Sequence, residues 1–361
     1  MKTKRPVLDD TTKRVTEMYN QYPYPLVGTH REMFRDLVYP FLRDQKNISS
    51  ILEAGCGTGN VAIAIAQLFP GTRVVGIDVT EEALRIAKES AAKLGLKNIE
   101  FRYSNLLEYD TDLGVFDFVH CQGVVHHLSD PRKGLENLKK YLKPGKHAYI
   151  WVYMLLGRRW ILEIREILNL LQNTDEPYQE RIEFTKRILS MYNVKKAPEG
   201  LKRHHENKPT PPVHQPLNSK LLYMLEYSIH LLNTSGWKVL WQKIKSKFSG
   251  KSISVNVASK PAIIDPELED RRYNTGLADM FLHPHDIFYR MSEVLNLFIE
   301  VGFSDILISD GMSTNLEQFF ANDFSDVKQL AANLPIEKQY QFMELMEKPS
   351  GVGFFVRNPV V

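Results

Sequence analysis

Short apolar runs alternate with longer amphipathic stretches from residue 48 onward. The apolar runs lie near 49–54, 73–78, 98–103, 115–120 and 147–153, and their length is typical of buried β-strands. The stretches between them, near 60–69, 80–94 and 131–142, repeat apolar residues at helical spacing. Strands and helices that alternate in this way predict an α/β domain whose parallel sheet has helices on both faces.

Two further helices are predicted ahead of the first strand. The first covers residues 11–20 and runs into Gln21-Tyr22-Pro23-Tyr24-Pro25, where two X-Pro bonds favour an extended backbone. The second covers residues 31–45 and has apolar side chains on one face, which would cover the sheet.

Three alternating glycines follow the first predicted strand. Gly55, Gly57 and Gly59 would let the backbone turn sharply just before a helix, whose unpaired amides can receive a nucleotide-like ligand. Asp78 ends the next strand, where a doubly wound fold places a carboxylate on ribose hydroxyls. The spacing G-x-G-x-G differs from the G-x-G-x-x-G of dinucleotide sites.

This turn, with Glu53 two residues before Gly55, resembles the S-adenosylmethionine site of class I methyltransferases. The resemblance continues through Asn105-Leu106 and the blocks 116–120, 123–131 and 142–145, in the family's order and spacing. It implies a seven-stranded, mostly parallel sheet, S-adenosylmethionine as cofactor with S-adenosylhomocysteine as product, and methyltransferase activity (EC 2.1.1).

The same resemblance assigns the cofactor contacts. Glu53 and the glycines would hold the methionine part, Asp78 the ribose, and Asn105 with Leu106 the adenine. An N-terminal tyrosine would close over the ligand. The residues implied are Tyr19, Tyr22, Glu53, Gly55, Gly57, Gly59, Asp78, Val79, Asn105, Leu106 and Gln122. Asn105 stands where the family usually has Asp, and its amide could bond the adenine amino group or N1.

The acceptor side is expected beyond the fourth strand. His126 and His127 follow that strand, and an imidazole can take the proton lost by a nucleophile. The alternative is that one of them only bonds the backbone or closes the pocket. No third metal ligand stands at ligand spacing near the pair, so no metal site is predicted.

A later segment, Asp279-Met280-Phe281-Leu282-His283-Pro284, resembles one that precedes the last helix in a poorly characterised group of bacterial methyltransferases. That group shares the Pro-Tyr-Pro segment. The resemblance implies that Asp279 and His283 return to the pocket mouth opposite His126, with His283 as a third catalytic candidate. Tyr24, Tyr153, Arg158 and His283 are the expected substrate contacts.

The resemblance also divides the chain. Residues 294–303 would be the last helix, and 306–308 and 352–356 the last two strands, with a smaller helical insertion at 313–349. The expected parts are an N-terminal lid at 1–47, the cofactor-binding core at 48–154, a helical insertion that caps the substrate at 155–284, and the rest of the core at 285–361.

The insertion contains a basic stretch. Residues 186–260 carry fourteen Lys or Arg against three Glu, although the whole chain has a net charge of only +3. The stretch would be a cap with solvated lysines, a surface for an acidic substrate or nucleic acid, or a face for another chain or a membrane surface. No RNA-binding signature is visible, so nucleic acid is not the expected partner.

The cysteine count and the hydropathy pattern further limit the kind of protein and its expected location. Two cysteines exclude a disulfide framework, and neither a signal peptide nor a transmembrane span is visible, so a cytoplasmic protein is expected. The expected reaction is methyl transfer to an O, N or C nucleophile of a small-molecule or peptide acceptor. The alternatives are a tRNA-type nucleic-acid methyltransferase that uses the basic insertion, an NAD-dependent oxidoreductase, and a cofactor-binding regulatory protein without turnover. The sequence leaves the oligomeric state open.

Overall fold

The computed structural model describes residues 8–26, 38–43, 45, 47–173, 175–191, 266–320 and 324–360. Contacts divide the chain into one unit of residues 1–188 with 267–361 and a second unit of residues 189–266. The second unit lies almost wholly outside the described residues, and so do its basic stretch and the helices expected near 218–233 and 236–248. The first turns of the helix expected at 31–45 also lie outside them.

Seven strands of the described chain form one sheet. They are β1 Ser50–Ala54, β2 Arg73–Asp78, β3 Ile99–Tyr103, β4 Phe116–Gln122, β5 Leu142–Tyr153, β6 Ser304–Asp310 and β7 Gly351–Arg357. Their order across the sheet is β3-β2-β1-β4-β5-β7-β6. The first five strands are parallel, whereas β7 pairs antiparallel with both β5 and β6. The expected seven-stranded, mostly parallel class I methyltransferase sheet is confirmed.

The described helices surround this sheet. They are α1 Asp10–Gln21, α2 Tyr39–Arg43, α3 Asn60–Leu68, α4 Glu81–Lys93, α5 Pro131–Tyr141, α6 Leu155–Leu171, α7 Tyr178–Met191, α8 Pro266–Phe281, α9 Met291–Val301, α10 Leu316–Phe320, α11 Ser325–Ala332 and α12 Ile336–Glu347. None of them combines the length and the apolar character that crossing a bilayer requires.

Both faces of the sheet are buried. In β1 the side chain of Leu52 joins one apolar cluster with α5 and α9, and Ile51 joins another with α3 and α4. Such burial explains why the parallel strands read as continuous apolar runs in the sequence. Asp78 and Gln122 end β2 and β4 at the carboxyl-end edge of the sheet, where ligands of such sheets bind.

The helices on either side of the second unit belong with the sheet. Strand β5 continues directly into α6, which buries Ile161, Ile164 and Leu168. Residues 155–188 and 267–284 fall in the same unit as the strands, although the sequence analysis grouped them with the insertion. The second unit therefore begins after residue 188 and ends before residue 267, and both boundaries lie within the insertion expected at 155–284.

Candidate active site

The glycine turn after β1 adopts a backbone that favours glycine. Gly55 has φ of 70° and Gly57 has φ of 50°, both in the left-handed region. The amide N–H groups of Gly55 and Cys56 donate to the carbonyl of Ile77 at 2.8 and 2.9 Å, which ties the turn to β2. A methyl group added at Gly57 would overlap the carbonyl oxygen of Tyr24.

The N-terminal segment lies against this turn. The hydroxyl of Thr58 and the side-chain amide of Asn60 both donate to the carbonyl of Pro25. The amide of Thr58 approaches the carbonyl of Tyr24 at 3.4 Å. The Tyr-Pro-Tyr-Pro segment is thus held at the glycine turn by backbone atoms, which is the position expected of a lid.

Two acids stand beside the turn, and their surroundings differ. Asp78 is half-buried, and its two carboxylate oxygens accept the amides of Gly57 and Thr80, each at 2.8 Å. Glu53 is buried, and its Oε2 lies 2.8 Å from Nδ1 of His120. Burial raises the pKa of Glu53, and the neighbouring His120 opposes that shift. The Glu53 carboxylate is therefore paired within the sheet.

The other expected cofactor residues lie at the ends of the neighbouring strands. Asn105 is buried, and its Oδ1 accepts the amide of Leu107 at 3.0 Å. Leu106 is part of the apolar core, and its carbonyl accepts the side-chain amide of Asn137 at 2.9 Å. Gln122 is buried at the end of β4. Val79 follows Asp78 and is half-buried.

The histidines expected on the acceptor side come together with two tyrosines. His126 and His127 belong to the short 3₁₀ helix Val125–His127. The ring of His127 lies 4.0 Å from that of His283, and the ring of His126 stacks on Tyr153 at 3.7 Å. Tyr19 of α1 lies 5.5 Å from His283. We call Tyr19, His126, His127, Tyr153 and His283 the histidine–tyrosine cluster.

Tyr24 connects this cluster to the glycine turn. Its ring lies 6.5 Å from that of Tyr19, while its carbonyl faces Gly57 and Thr58. The expected cofactor and acceptor residues therefore meet at one edge of the sheet.

The segment between α8 and α9 fixes the cluster from the other side. The amide of Ile287 donates to the carbonyl of His126 at 2.8 Å, and the amide of Tyr289 donates to the carbonyl of Tyr153 at 3.0 Å. These bonds hold the segment alongside the His126-His127 turn. They bring Asp286, which the sequence analysis did not select, into the cluster.

Asp286 is shared by three partners. Its Oδ1 lies 2.6 Å from Nδ1 of His127 and 3.1 Å from Nδ1 of His283, and its Oδ2 pairs with the guanidinium of Arg165. Burial alone would raise the pKa of Asp286, but His127, His283 and Arg165 outweigh it and hold that pKa below its ordinary value. Asp286 is therefore a permanent anion that orients His127.

The three histidines differ in what their nitrogens can do. Nδ1 of His126 accepts the amide of Tyr153 at 3.3 Å, so Nε2 carries the proton and His126 cannot act as a base there. Burial, followed by the charge of His127, lowers the pKa of His126 and of His283. Nδ1 of His127 lies 2.6 Å from Oδ1 of Asp286, and a proton held on Nδ1 beside that carboxylate would leave Nε2 as a proton acceptor. His127 is the histidine best arranged to take a proton.

His127, His283 and Asp286 also form a group of the kind that can hold a metal ion. The sequence analysis found no third ligand near the histidine pair because Asp286 is distant in sequence. Two ligands on a tetrahedral zinc ion stand roughly 3.3 Å apart, given bonds of about 2.0–2.2 Å. Nδ1 of His127 and Oδ1 of Asp286 are only 2.6 Å apart, closer than two ligands of one zinc ion would stand, and Arg165 already pairs with the carboxylate.

Other expected residues lie at the margin of the cluster. The hydroxyl of Tyr22 donates to Gln179 at 3.3 Å, and its ring faces Tyr178, so it points toward α7. Arg158 lies over the ring of Tyr153 at 3.4 Å and bonds the carbonyl of Ser350.

Arg165 is the cation that the sequence analysis missed. It donates to the carbonyl of Met280 at 2.7 Å as well as pairing with Asp286, and its side chain is largely buried. The sequence did contain an indication of Arg165, because this arginine falls on the same face of α6 as the apolar residues Ile161, Ile164 and Leu168. A charged residue on a buried helix face requires a partner.

Comparison with known proteins gives the family of the chain. The sequence model of a family described as "Methyltransferase domain" matches residues 45–227, just over half of the chain. The chain belongs to this methyltransferase family. The expected cofactor, S-adenosylmethionine, is confirmed by that membership together with the class I fold.

Two related proteins each match a part of this chain in sequence. An uncharacterized protein of Synechococcus sp. is 33% identical over 176 residues, which are 45% of this chain and 42% of that protein. The ubiquinone biosynthesis O-methyltransferase of Pectobacterium atrosepticum is 27% identical over 123 residues, which are 32% of this chain and 50% of that enzyme. The matched segments therefore span half or less of these relatives.

Among solved structures, PKMT2 from Rickettsia typhi superposes with a TM-score of 0.54 at 15% identity. The match covers 98% of this chain and 55% of that chain. At this identity the likeness concerns the fold alone.

Proposed function

We propose that this protein transfers a methyl group from S-adenosylmethionine to an O, N or C nucleophile of a small-molecule or peptide acceptor. The observation that carries the proposal is the junction at Tyr24. Its carbonyl faces the glycine turn while its ring reaches Tyr19 of the histidine–tyrosine cluster. A donor bound at the turn and an acceptor bound at the cluster would therefore be neighbours.

The residues at the turn fit the cofactor. Asp78 is half-buried as a residue, and its carboxylate accepts the backbone amides of Gly57 and Thr80, which fixes it at the end of β2, where ribose hydroxyls would bind. The left-handed backbone of Gly55 and Gly57 forms the sharp turn beside which the methionine part would lie. Because Oδ1 of Asn105 is occupied by Leu107, the amide nitrogen of Asn105 is the group that would donate to adenine N1. Glu53 would act on the methionine part through the shape of the turn, since its carboxylate pairs with His120.

His127 would serve as the general base. The bound cofactor supplies an activated methyl group, so the protein's own contribution is to orient the acceptor and to remove its proton. Orientation of this kind can contribute roughly 7–11 kcal/mol. Asp286 fixes the tautomer of His127, and His126 and His283 would line the acceptor site with Tyr153 and Tyr24.

Calorimetric titration with S-adenosylmethionine, S-adenosylhomocysteine and NAD in parallel tests the proposal. We expect binding of the two sulfur nucleotides and none of NAD. Asp78→Ala should abolish that binding and keep the thermal unfolding transition, while Asp112→Ala, a change at an exposed acid, should alter neither. Binding of NAD alone, or unchanged affinity in the Asp78→Ala protein, would refute the assignment.

A further inference from the structure

Asp279 is a buried acid without a cation. It lies on α8 with 8% of its surface exposed, and its Oδ1 accepts the hydroxyl of Tyr19 at 2.7 Å. Within the described ranges, no Lys, Arg or His nitrogen lies within 4.0 Å of its carboxylate. Burial raises the pKa of Asp279, the charge of Asp286 adds to that shift, and the more distant charges of His127 and Arg158 with the Tyr19 hydrogen bond oppose it.

The nearby Asp286 provides the contrast. That carboxylate is also buried, but it is paired with Arg165 and two histidines. Buried charges in proteins are normally paired in this way, because an isolated one costs several kcal/mol in lost hydration. Of these two acids, Asp286 pairs with Arg165, whereas the Asp279 carboxylate accepts a hydrogen bond from the uncharged hydroxyl of Tyr19.

Aromatic side chains surround the open carboxylate. Tyr19 is hydrogen-bonded to it, and the charge of Asp279 is among the causes that raise the pKa of Tyr24 and of Tyr153. Aromatic faces attract ammonium groups, and the attraction is strongest where water is excluded. A carboxylate bordered by tyrosines is therefore suited to a positively charged nitrogen.

We propose that Asp279 binds the ammonium group of the methyl acceptor, which makes the acceptor of this site a primary or secondary amine. The inference rests on the proposed function. A hydroxyl acceptor would supply no positive charge to stabilise the ionised form of Asp279, and a carboxylate acceptor would be repelled by that form. An ammonium group balances the charge of the Asp279 carboxylate. The methylated amine is also a cation, so the charge stays balanced until the product is released.

The reaction balances with groups already named. The ammonium group gives one proton to Nε2 of His127 and becomes a neutral amine. Its lone pair then forms the N–C bond as the C–S bond of the donor breaks, and the electron pair of that bond stays on sulfur. The methylated nitrogen carries the positive charge back to Asp279, and the proton on His127 passes to solvent.

The experiment measures binding of n-butylammonium, with n-butanol and butyrate as controls, to the full chain saturated with S-adenosylhomocysteine. We expect n-butylammonium to bind at least about tenfold more tightly than n-butanol. Asp279→Asn should remove that preference, because the asparagine keeps an oxygen for the Tyr19 hydroxyl but loses the charge. Asp175→Asn, at an exposed acid, is the matched control and should leave the preference intact.

Equal binding of n-butanol and n-butylammonium to the unaltered protein would overturn the inference without requiring any variant to fold. An Asp279→Asn protein that loses affinity for S-adenosylmethionine but keeps the ammonium preference would also overturn it, since the carboxylate would then serve the cofactor. Failure of the unaltered protein to bind S-adenosylmethionine would instead contradict the proposed function. The two failures are therefore distinguishable.

Discussion

Nδ1 of His127 lies 2.6 Å from Oδ1 of Asp286, and the two residues come from segments far apart in the chain. His127 belongs to the turn after β4, and Asp286 to the segment between α8 and α9. Arg165 of α6 holds the second oxygen of the same carboxylate. Three parts of the fold thus fix one imidazole, and its remaining nitrogen is left for chemistry.

Asp286→Asn should slow methyl transfer and leave the affinity for S-adenosylmethionine nearly unchanged. The substitution removes the anion that orients His127, and loss of general-base catalysis costs roughly 10²–10⁴-fold in rate. The measurement is S-adenosylhomocysteine release with a saturating acceptor, alongside calorimetric binding of the cofactor.

The double variant His127→Gln with Asp286→Asn checks that the two residues act together. We expect its rate to match that of the slower single variant, because the residues form one unit. If the two rate losses multiplied instead, His127 and Asp286 would act independently and the dyad assignment would be wrong.

Gly57→Ala should weaken cofactor binding. The added methyl group would overlap the carbonyl of Tyr24, and a non-glycine residue in the left-handed region costs about 1–2 kcal/mol. Both effects displace the N-terminal segment from the turn. Gly71→Ala is the control, since a methyl group there would meet no atom within 4 Å. Calorimetry on both proteins decides the point, and equal affinities would show that the segment does not shape the cofactor site.

The free energy of unfolding should fall as the pH falls below about 6.5. Burial, with the charge of His127 second, holds the pKa of His126 and His283 below their ordinary value of 6.5. Between that value and the lower folded-state pKa, the unfolded chain binds more protons than the folded one. Each histidine then contributes a slope of up to about 1.4 kcal/mol per pH unit.

Urea unfolding between pH 5 and 7 measures this slope, in a range where Asp286, with an ordinary pKa of 3.8, does not titrate. His283→Gln removes one of the two groups and should flatten the curve. If the His283→Gln protein showed the same slope of unfolding free energy against pH as the unaltered protein, His283 would be excluded as a source of that slope.

Metal removal should leave methyl transfer intact. The 2.6 Å separation of His127 and Asp286 is a hydrogen-bond distance, and Arg165 already balances the carboxylate. We expect dialysis against EDTA to leave the rate of S-adenosylhomocysteine release unchanged. A rate that falls and recovers with added Zn²⁺ would make His127, His283 and Asp286 a metal centre.

The local sequence was sufficient to predict the first five strands and the glycine turn after β1. The alternation of apolar runs and helical stretches predicted β1 to β5, because a parallel sheet buried on both faces needs continuous apolar strands. The glycines at 55, 57 and 59 and the acid at Asp78 were visible because their backbone geometry requires those residue types within one βαβ unit. His126 and His127 were found by their position after the fourth strand.

The acceptor half was decided by tertiary contacts. Asp286 and Arg165 carry no local pattern that links them to His127, and only the bonds from Ile287 to His126 and from Tyr289 to Tyr153 bring them together. The sequence by itself determined the sheet, the glycine turn and the family, since these depend on spacing along the chain. The tertiary structure decided that His127 is the histidine that stands closest to Asp286 and that Asp279 has no cation of the described residues within 4.0 Å. Pairing of buried charges depends on distances between segments, and the order of residues along the chain does not reveal those distances.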